Sequence, residues 1–534
     1  MPASATPTGR MHAAQRNAAL DVAIVAWGAL GVLGSVLIMV TGGQLTRGHE
    51  RWWLDPHLPL SGNQAELVLY CGMVALAVAW VGLGRRARSD LLRPWTLWVI
   101  AALWSLPLVL AAPVFSRDVY SYFAQGTMLH LGLNPYQHPP TILGQVGHAR
   151  VLNAVDPFWQ HTTAPYGPLF LDVVGVISGL VGSAVVLGAQ LVKLLGLAGL
   201  VLLAVCVPRL ARVHGTDVTR ATWLATLNPL VLLALVLPGH NDLLMVGLMV
   251  AGVTLAAEDR PLLGVVICAL AATIKAPALA AVIFIAVTWA RSGAGGDRVS
   301  FPRVVSRLGS SAAVALGVFA LVSLATGVGL SWVTSTLFSA PAKVHLAITP
   351  ATGLAYTVFA LLRDVGVSSS FTAIQAGFRI AVGAIAVLVA LELLRRARRG
   401  TMPLYLGWAL VALAWGGPAA WPWYFVWGLA LLAATPSSPR RLLWMMAFMI
   451  AGAVVVKPDG ILVFPLQSGP YVMAFYAVVA AVAWYAWRRE ARRPSAGGVD
   501  RPPAGYDLSE AEALGSPALV GRGHSREPSA LVKP

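Results

Sequence analysis

The segment FSRDVYSY, residues 115–122, places Arg117 and Asp118 directly after a long apolar run. Further along come LPGHND (237–242), Lys275 within ATIKAPA, and the aromatic stretch WGGPAAWPWYFVW (415–427). A carboxylate, a lysine, a His-Asn-Asp triplet and a Trp/Tyr cluster suit the handling of a sugar carried on a lipid phosphate. The phosphate needs a cation at membrane depth, and Arg117, Lys275 or Lys343 could supply one. The sugar needs aromatic faces, which Tyr120, Tyr122, Tyr136, Tyr166, Trp421, Trp423 and Tyr424 offer. It also needs polar partners, for which Gln125, Asn134, His240, Asn241 and Asp242 are the candidates. Asp118 alone suffices as general base toward an acceptor hydroxyl. A phosphate already leaves readily, whereas hydrolysis of an ordinary glycoside employs a pair of acids. A single displacement of this kind inverts the anomeric configuration.

Each residue also has a plainer reading. Trp421, Trp423 and Tyr424 could form an interfacial aromatic belt. Lys275 could snorkel to the membrane surface. Asn241 and Asp242 could cap a helix, and Asp118 could simply pair with Arg117. Four independent coincidences at one side and one depth explain less than a single site does. Composition and spacing by themselves still leave open a flippase or transporter of lipid-linked sugars. Asp118 and Asp242 could also share a divalent ion, but there is no DxD-like motif, so neither metal nor cofactor is expected.

The elements that must position these residues are apolar throughout. Of 534 residues, 57% are hydrophobic and 11% charged, against about 25% charged in an average soluble domain. Many apolar runs reach the ~18–20 residues that cross a bilayer, so the expected fold is an all-α polytopic membrane protein. The net charge of +16 is read as loop arginines that set topology, not as a nucleic-acid surface. Cys71, Cys206 and Cys268 sit inside apolar runs as packed residues. The first apolar run, 19–41, lacks a small-residue cleavage site and reads as a retained helix.

Arginine clusters at 10/16, 85–93, 208–220, 291–307, 395–399, 439–441 and 488–493 can all be placed on the cytoplasmic side. About fourteen spans (12–15) then alternate: 19–41, 66–84, 94–114, 184–208, 219–238, 242–257, 261–276, 277–291, 308–330, 372–395, 402–420, 422–435, 441–457 and 469–488. Two stretches, 168–182 and 351–366, break the alternation if they cross, and are read as helices lying at the outer interface or re-entering it. The spans within 242–291 are short, so their ends are expected inside the membrane around a cavity. The resulting organisation is a disordered cytoplasmic N-terminus (1–18), a transmembrane domain (19–490) and a disordered cytoplasmic tail (491–534). The large external loop, 115–183, carries Asp118. The unusual polar groups crowd this one side, and no paired halves mark a transporter repeat.

SRDVYSYFAQG, then GLNPY and TTAPYGPLF, resembles the first external loop of the actinobacterial polyprenol-phosphomannose-dependent alpha-1,6-mannopyranosyltransferases. GHNDLLM, IKAPA, ITPATGLA and WPWYFVWGL resemble later landmarks of the same family, in order, across residues 20–490. The resemblance implies the GT-C glycosyltransferase fold, with external juxtamembrane helices and loops. It implies a β-mannosyl phosphopolyprenol donor, an α-1,6-mannan or related lipoglycan acceptor such as the lipomannan/lipoarabinomannan core, and Asp118 as base. It places the active site on the extracytoplasmic face of the cytoplasmic membrane. Inversion of a β donor gives an α linkage, in accord with a single base. A related arabinofuranosyl or glucosyl transferase stays open, since specificity rests on a few hydroxyl contacts. The early spans 19–41 and 66–84 precede Asp118 and are read as a peripheral addition to a minimal fold that places its aspartate after the first helix.

Overall fold

A computed structural model of the chain describes residues 7–46, 50–54, 56, 58–87, 92–293, 300–336 and 349–461. The expected span 469–488, both tails beyond these limits and Lys343 lie outside the described residues. Among the described residues the secondary structure is helical, with no β-strand. In hydrocarbon every backbone N–H and C=O must be satisfied within its own segment, which a helix achieves.

Among the described residues, six helical segments are long and apolar enough to cross a membrane: Val22–Leu45, Gly62–Arg86, Val185–Val213, Val218–Val236, Phe301–Ala325 and Phe371–Arg396. The chain is therefore a membrane protein. The helix Phe371–Arg396 buries only Gln375 and Ala386, while Ile380 and Leu388 are 74% and 65% exposed. Such a surface is stable against lipid tails and not against water.

The helices are numbered α1 (Pro7–Leu45), α2 (Gly62–Arg86), α3 (Pro94–Leu110), α4 (Asp118–His130), α5 (Pro168–Val181), α6 (Val185–Val213), α7 (Val218–Thr226), α8 (Asp242–Ala257), α9 (Pro261–Ala272), α10 (Leu279–Ala290), α11 (Phe301–Ala325), α12 (Pro350–Asp364), α13 (Phe371–Arg396), α14 (Met402–Gly416), α15 (Val426–Ala433) and α16 (Pro439–Val454). The helical backbone of α1 starts at Pro7, ahead of the apolar run. The two stretches that broke the alternation form α5 and α12, of 14 and 15 residues. At 1.5 Å per residue each spans about 21–23 Å, short of a ~30 Å hydrocarbon core.

The pair α1–α2 packs on α3 and α7. Trp104 on α3 donates its indole N–H to Gly28 O. Trp80 on α2 stacks on Trp223 of α7 at 4.7 Å, and the Trp223 indole donates back to Trp80 O at 2.9 Å. The first pair is thus keyed into the bundle through three buried tryptophans. Helix α8 lies against α6 at a small-residue contact, where a Cβ on Gly199 would stand 2.1 Å from Leu243 O. Small residues of this kind let membrane helices approach closely.

Helix α8 also defines two ends of the molecule. Its C-terminal Glu258 pairs with Arg209 of α6, and the adjoining Asp259 pairs with Arg399. Arg291, just beyond α10, donates to the carbonyls of Leu394 and Arg395 at the end of α13. The arginine-rich ends therefore gather at one end of the bundle. Asp242 opens the other end of α8, 16 residues or about 24 Å away.

Candidate active site

Four chain segments meet at that second end. The first is the approach to α4. Lys193 of α6, 1% exposed, donates to Leu108 O and Ala111 O at the end of α3 and lies over the Trp52 ring at 5.2 Å. A lysine on the last carbonyls satisfies groups that a helix end leaves open. Beyond it, Phe115 adopts φ 69°, costing about 1–3 kcal/mol for a residue of this type, while its N–H donates to Pro458 O. Asp118 then opens α4, its N–H held by Ser116 Oγ.

The second segment is GHND. Leu237 N–H bonds back to Leu232 O, a π-turn of the sort common at functional sites. Pro238 offers no N–H, and Gly239 N–H goes to Leu235 O. Ala234 O is left to His240 Nδ1, at 2.6 Å. This contact turns Nε2 toward Asp118 Oδ2, at 3.6 Å. Trp423 stacks on the imidazole at 4.3 Å and on Trp421 at 4.9 Å, so an aromatic shelf leads to the pair.

The third segment is the turn between α9 and α10. These are two helices of 12 residues, about 18 Å each, whose outer ends carry Arg260 and Arg291. Their hairpin tip therefore lies within the thickness of a bilayer. At the tip Lys275 Nζ donates to Asp242 Oδ2 at 2.7 Å, and the Trp427 indole donates to Asp242 Oδ1 at 2.7 Å. The ammonium is faced by the rings of Tyr424 at 4.4 Å, Trp427 at 5.8 Å and Tyr166 at 6.0 Å. The fourth segment, APYGP, docks on this same turn: Gly167 N–H donates to Ile274 O and Leu169 N–H to Thr273 O. A Cβ on Gly167 would stand 2.0 Å from Thr273 O, so the approach requires glycine.

Asp118 and His240 both lie between the apolar spans. Burial pushes the Asp118 carboxyl above the ordinary carboxylate range, and His240 and Lys275 pull it back. Burial pushes His240 down, opposed by Asp118 and Asp242, which keeps the imidazole neutral near pH 7.

The fold brings together Asp118, Tyr122, Tyr166, His240, Asn241, Asp242, Lys275, Trp421, Trp423 and Tyr424. Tyr122 donates to Asn241 Oδ1 at 3.5 Å and packs edge-on to Tyr166. Asn241 makes no side-chain cap on α8, and Asp242 serves Lys275 instead, so the capping reading does not describe them. Lys275 pairs inward and does not snorkel. Other candidates lie apart from the centre. Arg117 donates to Ala154 O at 2.6 Å and lies over Tyr120 at 5.9 Å, away from Asp118. Asn134 accepts from Tyr136 N–H and donates to Ser331 Oγ, fastening the loop. Tyr136 donates to Tyr166 O at 2.9 Å and so supports that residue from behind. Gln125 is buried two turns along α4, with Oε1 unbonded. Trp427 and Lys193 were not among the sequence candidates. The spacing of Trp423 and Trp427 at i and i+4 is the signal that would have found the first.

A carboxylate beside an imidazole, a caged ammonium and an aromatic shelf thus lie together at one end of a helical membrane bundle. Family comparison narrows this. Residues 28–291 match the model described as "Alpha-(1->6)-mannopyranosyltransferase, N-terminal domain", and residues 349–489 match "MptB C-terminal domain". Alpha-(1->6)-mannopyranosyltransferase A of Mycobacterium tuberculosis is 35% identical over 88% of this chain and 90% of its own length. A probable alpha-(1->6)-mannopyranosyltransferase of Mycolicibacterium smegmatis is 33% identical, covering 85% of each chain. Alpha-(1->6)-mannopyranosyltransferase A of Corynebacterium glutamicum is 35% identical over 48% of this chain and 52% of its own. The chain belongs to the alpha-(1->6)-mannopyranosyltransferase family. No solved structure matches it.

Proposed function

We propose that the protein transfers mannose from a polyprenyl-phosphate donor to the 6-hydroxyl of an α-1,6-mannan acceptor, on the outer side of the cytoplasmic membrane. The observation that carries this reading is the presence of a partly open carboxylate, Asp118, and a caged ammonium, Lys275, at the same end of the bundle. Asp118 takes the proton of the acceptor hydroxyl as that oxygen attacks the anomeric carbon, and the phosphate departs with the bonding electrons. Lys275 faces the leaving phosphate, and its aromatic cage suits a cation that must stay charged near lipid. Trp421, stacked on Trp423 at the end of the shelf, offers the face on which a sugar ring stacks. The displacement inverts a β-mannosyl phosphate into an α linkage. The donor carries its own leaving group, so the displacement calls for no metal. A divalent ion between Asp118 and Asp242 would have to displace the Lys275 ammonium.

The gathering of arginine-rich helix ends opposite this site supports a cytoplasmic face there and an extracytoplasmic site here. That orientation goes with a GT-C arrangement of about fourteen spans within residues 19–490. Residues 1–18 and 491–534 then belong to the cytoplasmic side. The test incubates purified protein with radiolabelled mannosyl phosphopolyprenol and a short α-1,6-mannoside, followed by linkage analysis. An added α-1,6-mannosyl residue is expected. Transfer from arabinofuranosyl or glucosyl donors alone, or no covalent product, would overturn the reading.

A further inference from the structure

The geometry around His240 points to a role beyond lining a sugar site. Its Nδ1 is committed to Ala234 O at 2.6 Å. A carbonyl only accepts, so Nδ1 carries the hydrogen, and in the neutral ring Nε2 carries a lone pair. That Nε2 is buried and bonded to nothing, and the atom before it is Asp118 Oδ2 at 3.6 Å. Two acceptors facing each other across this gap leave room for one proton. Other charged or titratable groups acting here are Asp242 and Lys275 on His240 and Tyr122, Tyr166 and Tyr424 around the two acids. Asp242 already accepts from Lys275 and Trp427, and burial keeps Tyr122 and Tyr166, which lie outside the spans, protonated, so the group that faces Nε2 is Asp118.

We infer that His240 is a second proton acceptor behind Asp118, so that the two act as one base. This rests on the transferase reading above. When the acceptor oxygen bonds to the anomeric carbon, the anomeric carbon–phosphate bond breaks and its electron pair leaves with the phosphate. The hydroxyl proton goes to Asp118, then passes to Nε2, producing an imidazolium beside a restored carboxylate. The 3.6 Å gap must shorten for this step, and catalytic hydrogen bonds of apo enzymes commonly do so when substrate binds. Burial gives the relay its purpose. A protonated acid next to the newly made glycoside could return its proton and reverse the step, whereas an imidazolium–carboxylate pair holds it. The π-turn and Pro238 are the local devices that free Ala234 O to fix the tautomer.

The test is His240→Asn in the full-length purified protein. The amide of asparagine can still donate to Ala234 O but offers no base at the Nε2 position. We expect kcat to fall about 10²-fold, with the KM of donor and acceptor within about twofold. The acid limb of the kcat profile should change position and lose the temperature dependence of an imidazole titration, because the proton that the pair shares is then held by Asp118 alone. A rise in either KM at unchanged kcat, or an unchanged pH limb, would overturn the relay in favour of a sugar contact. If the variant does not fold, the wild type serves: its acid limb should move with temperature as an imidazole titration does and a carboxylate titration does not. A temperature-independent limb overturns the relay. Asp118→Asn, assayed in parallel, separates the two levels. Full activity there removes the base reading itself, while an inactive Asp118→Asn beside an unaffected His240→Asn removes only the relay.

Discussion

Two acids stand at this end of the bundle, each beside a basic side chain, and they are treated in opposite ways. Asp242 has none of its side chain exposed, and both oxygens are bonded at 2.7 Å, to Lys275 and Trp427. Asp118 keeps 19% of its side chain exposed and stops 3.6 Å short of His240. Nε2 of His240 and Nδ2 of Asn241, both close by, are buried without a partner. Buried polar groups in proteins are nearly always satisfied. The closed pair therefore reads as framework, holding an ammonium in place. The open pair holds hydrogen-bonding capacity that the protein itself does not use, and that capacity is what a substrate can take up. Although GHND contributes one residue to each pair, the two should fail in different ways when broken.

The largest effect is expected from Asp118→Asn. It keeps shape and removes the proposed base, so transfer should fall by about 10³-fold or more, while thermal unfolding of the purified protein stays close to wild type. Retained transfer would erase the distinction between the pairs. Asp242→Asn should do the reverse. It leaves the Lys275 charge facing an amide in a buried setting, and breaking a buried pair costs about 3–5 kcal/mol. A clear drop in unfolding temperature is expected, together with weaker donor binding. The double variant Asp242→Asn/Lys275→Met sharpens the point, because it removes both charges. Stability should return toward wild type, while the donor KM remains raised about tenfold, equivalent to ~1.4 kcal/mol of lost binding. If donor affinity returned with stability, Lys275 would not be contacting the phosphate.

The open pair also predicts a pH dependence. Burial raises Asp118 above the ordinary carboxylate range, and the Asp118–His240 pair must be free of its shared proton to act as the proposed base. Activity should therefore decline as pH falls through a value above that of a free carboxylate, near 4. A kcat profile in the wild type measures this. An acid limb at the ordinary carboxylate position would show that Asp118 meets water freely when the enzyme turns over.

The helices were largely legible from the apolar runs, because a membrane span announces itself through composition over some twenty residues. The grouping of arginines was legible for the same reason: Arg209, Arg291 and Arg399 sit at ends that the fold indeed gathers. Candidate site residues were visible wherever a polar side chain interrupted an apolar background, as Asp118, His240 and Lys275 do. Roles were harder to read. Arg117 and Asp118 are chain neighbours, yet a helix start turns one toward Ala154 and the other toward His240. Asp242 looked like a cap or a sugar partner, and only the arrival of α9 and α15 beside it shows a closed pair. Lys193 was missed because a lysine inside an apolar run gives no hint that its partners are the end carbonyls of α3, 82 residues earlier in the chain. Phe115 was missed because no residue type signals a positive φ at an aromatic position. Partners set by long-range packing leave no local mark in composition or periodicity.

The smallest effect expected concerns the opposite end of the bundle and serves as the control for the comparison. Arg209 and Glu258 are bonded through both guanidinium contacts, yet their side chains are 39% and 27% exposed. A pair at the polar boundary loses much of its Coulomb energy to water and salt, and such pairs contribute about 0–1 kcal/mol. Glu258→Gln should therefore shift the unfolding temperature little and leave kcat and both KM values at wild-type levels, although it removes the same charge as Asp242→Asn at the other end of α8. The two substitutions sit at opposite ends of one helix, 16 residues apart, and each removes one carboxylate charge from an ion pair, buried at Asp242 and partly exposed at Glu258. If Glu258→Gln lowered transfer as Asp242→Asn does, the effect of Asp242 would belong to α8 as a whole and not to the ammonium it holds.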